Sequence, residues 1–150
     1  MSKKLFFALL GFFVSHFANA LETFTCGNAK VTLEVIKVDG NKYEFDTALT
    51  VHLKNISTIL RYTNIDYIGG ICVKDAKGQN RIVYQAYCGG SGCKDLDNWG
   101  IIDPKNLQVL LVPNDYNRDE AKNILGTELP NVKFVLSIGK ELDRLGIPAI

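Results

Sequence analysis

Histidine is almost missing from the 150 residues; there are two. His16 falls in an N-terminal apolar segment, which leaves His52 alone. Zinc sites draw on histidines or thiolates in groups, and a Ser-His-Asp triad needs an imidazole beside its serine. A single histidine on the polar side of an expected strand reads as a solvent-facing residue and supplies neither. A surplus of charge is missing too. The 17 Lys and Arg nearly balance 16 Asp and Glu, for a net charge of +1. There is no basic excess for nucleic acid and no polybasic stretch for lipid headgroups. Linkers, low-complexity tracts and internal repeats are also absent. What remains is the profile of a small domain with no cofactor and no metal.

The apolar residues are concentrated at the start. Residues 1–20 read MSKKLFFALLGFFVSHFANA. Lys3 and Lys4 form a basic head, Leu5 to Val14 an apolar run broken by Gly11, and Ala18-Asn19-Ala20 a small-x-small cleavage site. That is the layout of a secretory signal peptide. The run is shorter than the roughly 20 residues of a spanning helix, and no cysteine follows Ala20 to take a lipid. The expectation is a cleaved signal over 1–20 and one domain over 21–150, exported to the periplasm of a bacterium or secreted. After cleavage no further membrane insertion is expected. Removing Lys3 and Lys4 from the 17 cations leaves 15 against 16 anions, a net charge near −1.

All four cysteines, Cys26, Cys72, Cys88 and Cys93, lie in the mature part. An even count in an exported chain predicts two disulfides, for which three pairings exist. The most economical joins Cys88 to Cys93 and Cys26 to Cys72. Chain entropy then assigns roughly 2 kcal/mol to the short loop and about 4 kcal/mol to the long one. The long bridge stabilises, and the short one shapes the loop it closes.

Strand signals dominate the mature chain. Val31 to Val38 and Tyr43 to Lys54 alternate in period two around the hairpin signal Asp39-Gly40-Asn41. Leu49, Val51 and Leu53 share one face, and Thr50, His52 and Lys54 the other. Residues 57–70 show no clear period. Further strands are expected at Ile71 to Val73, Arg81 to Tyr87, Asn98 to Ile102 and Leu107 to Val112, with Asp103-Pro104 opening a type I turn. Asn117 to Leu125 carries helix signals: Asn117 as cap, Asp119 and Glu120 in the first turn, and Gly126 beyond the end. Val132 to Ile138 reads as a last strand, and residues 139–150 as one helical turn and a tail. The fold class is α+β, mostly β: an antiparallel sheet or partly closed barrel with one short C-terminal helix packed on it.

Catalytic patterns fail at particular positions. Gly89-Gly90-Ser91-Gly92 begins a nucleophile-elbow pattern, but Cys93 stands where its last glycine belongs. Asp95, Asp97 and Gly100 match three positions of a calcium loop. Trp99 and Asn106 occupy positions five and twelve, so the bidentate glutamate is absent. A small hydrolase would have to use Asp95, Asp97 or Asp103, and an enzyme is not the expectation.

The segment YCGGSGC, Tyr87 to Cys93, is the most distinctive in the chain. Gly89, Gly90 and Gly92 let another backbone approach closely. A Cys88–Cys93 bridge would remove much of the entropy cost of ordering them on binding. The result is a thin, rigid projection with one hydroxyl, Ser91, suited to a narrow cleft. Lys94, Asp95, Asp97 and Trp99 would flank it as a polar rim with one aromatic anchor.

Strand, Cys-x4-Cys loop, strand, turn, strand, over Arg81 to Val112 of a small signal-bearing chain, resembles the Ivy-type periplasmic inhibitors of vertebrate-class lysozymes. In that family the stapled loop enters the lysozyme cleft and engages its catalytic carboxylates. The resemblance implies a binding loop at 88–93 and a peptidoglycan-degrading enzyme as partner. The family loop usually carries a histidine and a proline between its cysteines; this chain has Gly89-Gly90-Ser91-Gly92. Cys26 and Cys72 are also additional to the pattern. The expected function is inhibition of a wall-degrading enzyme, as a lysozyme inhibitor or as an immunity protein against a rival's toxin. The alternative is a non-catalytic factor of envelope structure or assembly.

Overall fold

The period-two alternation of the N-terminal half builds a four-stranded sheet. In a computed structural model, which describes residues 21–38, 45–88 and 98–148, the strands are β1 (Leu21–Cys26), β2 (Ala29–Lys37), β3 (Phe45–Leu53) and β4 (Ile56–Tyr62). They pair antiparallel in sequence order, so β1 and β4 are its edges. Val31, Leu33, Leu49 and Val51 are fully buried on its inner face. The expected turn Asp39-Gly40-Asn41 lies outside the described residues, as does the signal segment 1–20.

The second half forms a five-stranded antiparallel sheet in the order β8-β7-β6-β5-β9. Its members are β5 (Tyr67–Lys74), β6 (Asn80–Tyr87), β7 (Gly100–Ile102), β8 (Val109–Leu111) and β9 (Phe134–Ser137). Two helices complete the chain, α1 (Arg118–Leu125) and α2 (Ile138–Leu145). The mostly-β α+β class therefore holds. The strands form two sheets without closing into a barrel, and a second helix joins the expected one.

Sheet packing explains why β6 loses clean alternation. Ile82, Tyr84 and Ala86 join the inter-sheet core with Ile68, Leu136 and α2 residues Ile138 and Leu142. Val83 points the other way, into a second core with Ile101, Leu111, Trp99 and α1 residues Ala121 and Leu125. A strand covered on both faces reads as a continuous apolar run, and Ile82-Val83-Tyr84 is fully buried.

Three contacts among the described residues tie the sheets together, one of them the stacking of Phe24 of β1 on Phe134 of β9. Cys26 of β1 is disulfide-bonded to Cys72 of β5, as the economical pairing expects. Tyr62 of β4 and Tyr84 of β6 share a hydrogen bond between their hydroxyls at 2.8 Å. Burial pushes the Tyr62 phenol above its usual range, and Tyr84, wholly enclosed, well above it. Both stay neutral, which suits a hydroxyl pair inside a core.

Gly100 is required by packing. It sits opposite Tyr84 in the β6–β7 register, and a Cβ there would collide with the Tyr84 ring. The aromatic ring thus covers the bare backbone of its cross-strand neighbour.

Residues 57–70, without period in the sequence, hold β4 and the start of β5. β4 is an edge strand whose Ile56 and Ile59 are more than half exposed, which masks its alternation. The C-terminal segment forms the eight-residue helix α2 rather than one turn. Gly139, in its first turn, hides that helix from propensity.

Candidate functional site

The expected binding loop, 88–93, lies between two neighbouring strands. β6 ends at Tyr87, Cys88 follows, and the chain returns through Asn98 and Trp99 into β7. β6 and β7 pair antiparallel, so both roots rise from one end of the second sheet. Cys88 is disulfide-bonded. Its expected partner Cys93 lies outside the described residues, as do Gly89, Gly90, Ser91, Gly92, Lys94, Asp95 and Asp97.

Each root is held. On the outgoing side, the Tyr87 ring stacks on Tyr67 with centroids 5.3 Å apart, and Asp66 N–H donates to the Tyr87 carbonyl at 3.0 Å. On the return side, the side-chain amide of Asn117 holds the Trp99 backbone. The Trp99 N–H donates to Asn117 Oδ1 at 2.8 Å, and Asn117 Nδ2 donates to the Trp99 carbonyl at 2.6 Å. The same Nδ2 donates to the Val112 carbonyl at 2.8 Å. Asn117 is 2% exposed, so its two bonds to Trp99 are made without competition from water. It occupies the N-cap position of α1, yet its side chain makes no capping bond. The expected helix cap is instead a clamp on the loop root.

Trp99 corrects an expectation. It is 5% exposed and packs with Val83, Ile101 and Leu125. Its ring is committed to the second core, because β7 must cover the face that α1 packs against. It anchors the root from inside and does not project as a rim aromatic. Beside it a shallow groove of about 280 Å³ is lined by Gln85, Tyr87, Trp99, Arg118, Pro130 and Val135.

Asp103 also has a structural assignment. Its Oδ2 accepts from Arg81 Nη1 at 2.9 Å, and its Oδ1 accepts from the Lys105 N–H in the β7–β8 turn. Arg81 pairs at the same time with Asp75 at 3.0 Å and donates to Gln79 Oε1 at 2.6 Å. Asp75 accepts further from the backbone of Gln79 and Lys77. The hydrogen bond from Gln79 N–H, with that of Lys77 and the Arg81 charge behind it, holds the Asp75 carboxyl below its usual range. This buried ion cluster closes the end of the sheet remote from Cys88. Both terminal nitrogens of Arg81 are matched by acceptors, as a buried charge requires, while its Nε is buried without a partner among the described residues.

His52 lies exposed on β3, opposite Lys30 and Ser57. Among the described residues, no group of three His, Cys, Asp or Glu side chains could hold a metal ion, and no helix is long and apolar enough to cross a membrane. The clamp was not legible beforehand. Asn117 and Trp99 are 18 residues apart, and no spacing rule connects an asparagine before a helix to a strand that precedes it.

No protein-family model, curated protein or solved structure matches the chain.

Proposed function

We propose that the chain is an exported bacterial binding protein that inhibits a cell-wall-degrading enzyme by inserting the 88–93 loop into its cleft. The observation that carries this reading is the fixation of the loop's roots. Cys88 is covalently tied, and Trp99 is held on both its backbone groups by buried Asn117. A projection whose base is fixed in advance loses less freedom on binding. The roots also emerge from paired strands, at one end of the second sheet. The Cys26–Cys72 bridge fits an oxidising compartment. Ser91 would donate to a carboxylate of the target, and the flanking glycines would permit close backbone approach. Lysozymes and the wall-degrading toxins of competing bacteria share such a cleft.

The test is titration of a panel of muramidases and wall amidases with the oxidised mature protein, following binding and activity together. Saturable binding with loss of hydrolysis is expected. Gly90→Trp with Ser91→Trp should abolish both while leaving the fold intact. Unchanged inhibition by that variant would remove the loop from the account.

One observation favours a second reading, an envelope assembly factor. β4 is an edge strand with Ile56 and Ile59 exposed, a geometry that accepts an added strand from a partner. That reading expects a stable complex with a resident envelope protein, lost on Ile59→Lys and indifferent to loop variants.

A further inference from the structure

At the end of the sandwich opposite Cys88, where β6 begins with Asn80, a cavity of about 440 Å³ opens. Three turns meet around it: Gly27-Asn28 between β1 and β2, Lys54-Asn55 between β3 and β4, and Pro104-Lys105 between β7 and β8. Its volume falls within the roughly 300–1,000 Å³ of small-molecule sites.

The lining has an unusual chemistry. Its charged residues are two lysines, Lys54 and Lys105, and no carboxylate lines it. Among the described residues neither ammonium has an ion-pair partner. Three side-chain amides, of Asn28, Asn55 and Asn80, line the same space. None of them makes a hydrogen bond among the described residues. Asn117, by contrast, spends its amide fully. Cys26, Leu53 and Pro104 give the cavity an apolar wall, and Ile56 stands exposed at its mouth.

The backbone adds a second observation. Lys54 takes φ 55° in a two-residue hairpin turn. Glycine, asparagine or aspartate ordinarily fill such positions. A lysine there bears a conformational cost, and its neighbour Asn55 would fill the position more readily. Lys54 is exposed and lines the cavity, so its charge is open to a ligand.

We propose that this cavity binds a short peptide by its free carboxylate. Lys54 and Lys105 take the carboxylate. The amides of Asn28, Asn55 and Asn80 have both donors and acceptors and so match peptide groups. The apolar wall takes a small aliphatic side chain. Two sources share this chemistry: the C-terminus of a protein, with L residues, and a wall peptide ending in D residues.

The test is a heteronuclear NMR titration of the oxidised mature protein with N-acetyl-L-Ala-L-Ala, its D,D counterpart and the C-terminal amides of both. The acids should saturate, with shifts at Asn28, Lys54, Asn55 and Asn80, and bind at least tenfold tighter than the amides. Lys54→Gln with Lys105→Gln should weaken the acids at least tenfold with the spectrum otherwise unchanged. Lys54→Gly should raise the melting temperature and still weaken binding, a combination that a purely structural lysine would not give. Tighter binding of the D,D acid assigns the source to wall peptides and of the L,L acid to protein termini; each supports the site. Equal binding of acid and amide, or no saturation by either acid, overturns it.

Discussion

Replacing Asn117 by alanine removes three hydrogen bonds at once, two of them buried and the third, to exposed Val112, part-buried. The Trp99 N–H and carbonyl and the Val112 carbonyl all lose their side-chain partner. Asn117 is 2% exposed and Trp99 5%, so water does not readily replace it. A buried polar group left unsatisfied costs about 1–3 kcal/mol. Allowing one of the three to find water or a relaxed partner, the loss should be about 3 kcal/mol. Set against a domain stability of roughly 5–15 kcal/mol, that is a large share. It corresponds to a fall of roughly 10 °C in melting temperature for a domain of this size. Urea unfolding followed by Trp99 fluorescence would measure it, since Trp99 is the chain's one tryptophan. Asn117→Asp sharpens the result. It keeps the acceptor for the Trp99 N–H but loses both donations and buries a charge, so it should be at least as destabilising as alanine. If alanine costs less than about 1 kcal/mol, the amide bonds are not what holds the return root, and the argument for a fixed loop base loses one of its two supports.

Other expectations follow from the same contacts. Cys26→Ala with Cys72→Ala opens a bridge of sequence separation 46 and should lower stability by about 4 kcal/mol on the chain-entropy account, measurable by denaturant unfolding. Gly100→Ala forces a methyl into the Tyr84 ring and should cost about 1–3 kcal/mol as an overpacked site; a neutral result in a thermal melt would contradict the packing described. Asp75 gives the pH dependence its sign. Its folded pKa lies below the ordinary 3.8, so its contribution is present above that value and is lost as pH falls through the lowered one. Acid unfolding below about pH 4 should therefore be less steep in Asp75→Asn, starting from lower stability at neutral pH.

Legibility in the sequence followed local physics. β2 and β3 were readable because Val31, Leu33, Leu49 and Val51 recur at period two around a hairpin signal. The β6-β7-β8 meander was readable from its apolar strand runs and the turn at Asp103-Pro104. β4 was not, because an edge strand tolerates exposed Ile56 and Ile59, on its two faces, and so loses its period. At the candidate site, the cysteines and glycines announce a special loop, yet what fixes its base is non-local. Trp99 reads as core more readily than as contact, and α1 covering β7 decides for core. Asp103 reads as a turn opener or an acid until Arg81, 22 residues away, is found beside it. Long-range partners of single polar residues leave no trace in spacing.

The central claim concerns the staple, and one measurement reaches it directly. The hydrolytic activity of a susceptible muramidase or wall amidase is titrated with the oxidised mature protein and with Cys88→Ala/Cys93→Ala, in which Cys26–Cys72 is kept. The account predicts one-to-one inhibition by the parent and at least tenfold weaker inhibition by the variant, with both proteins folded alike by circular dichroism. Equal inhibition by the two proteins, or none by the parent against any wall-degrading enzyme, would contradict it.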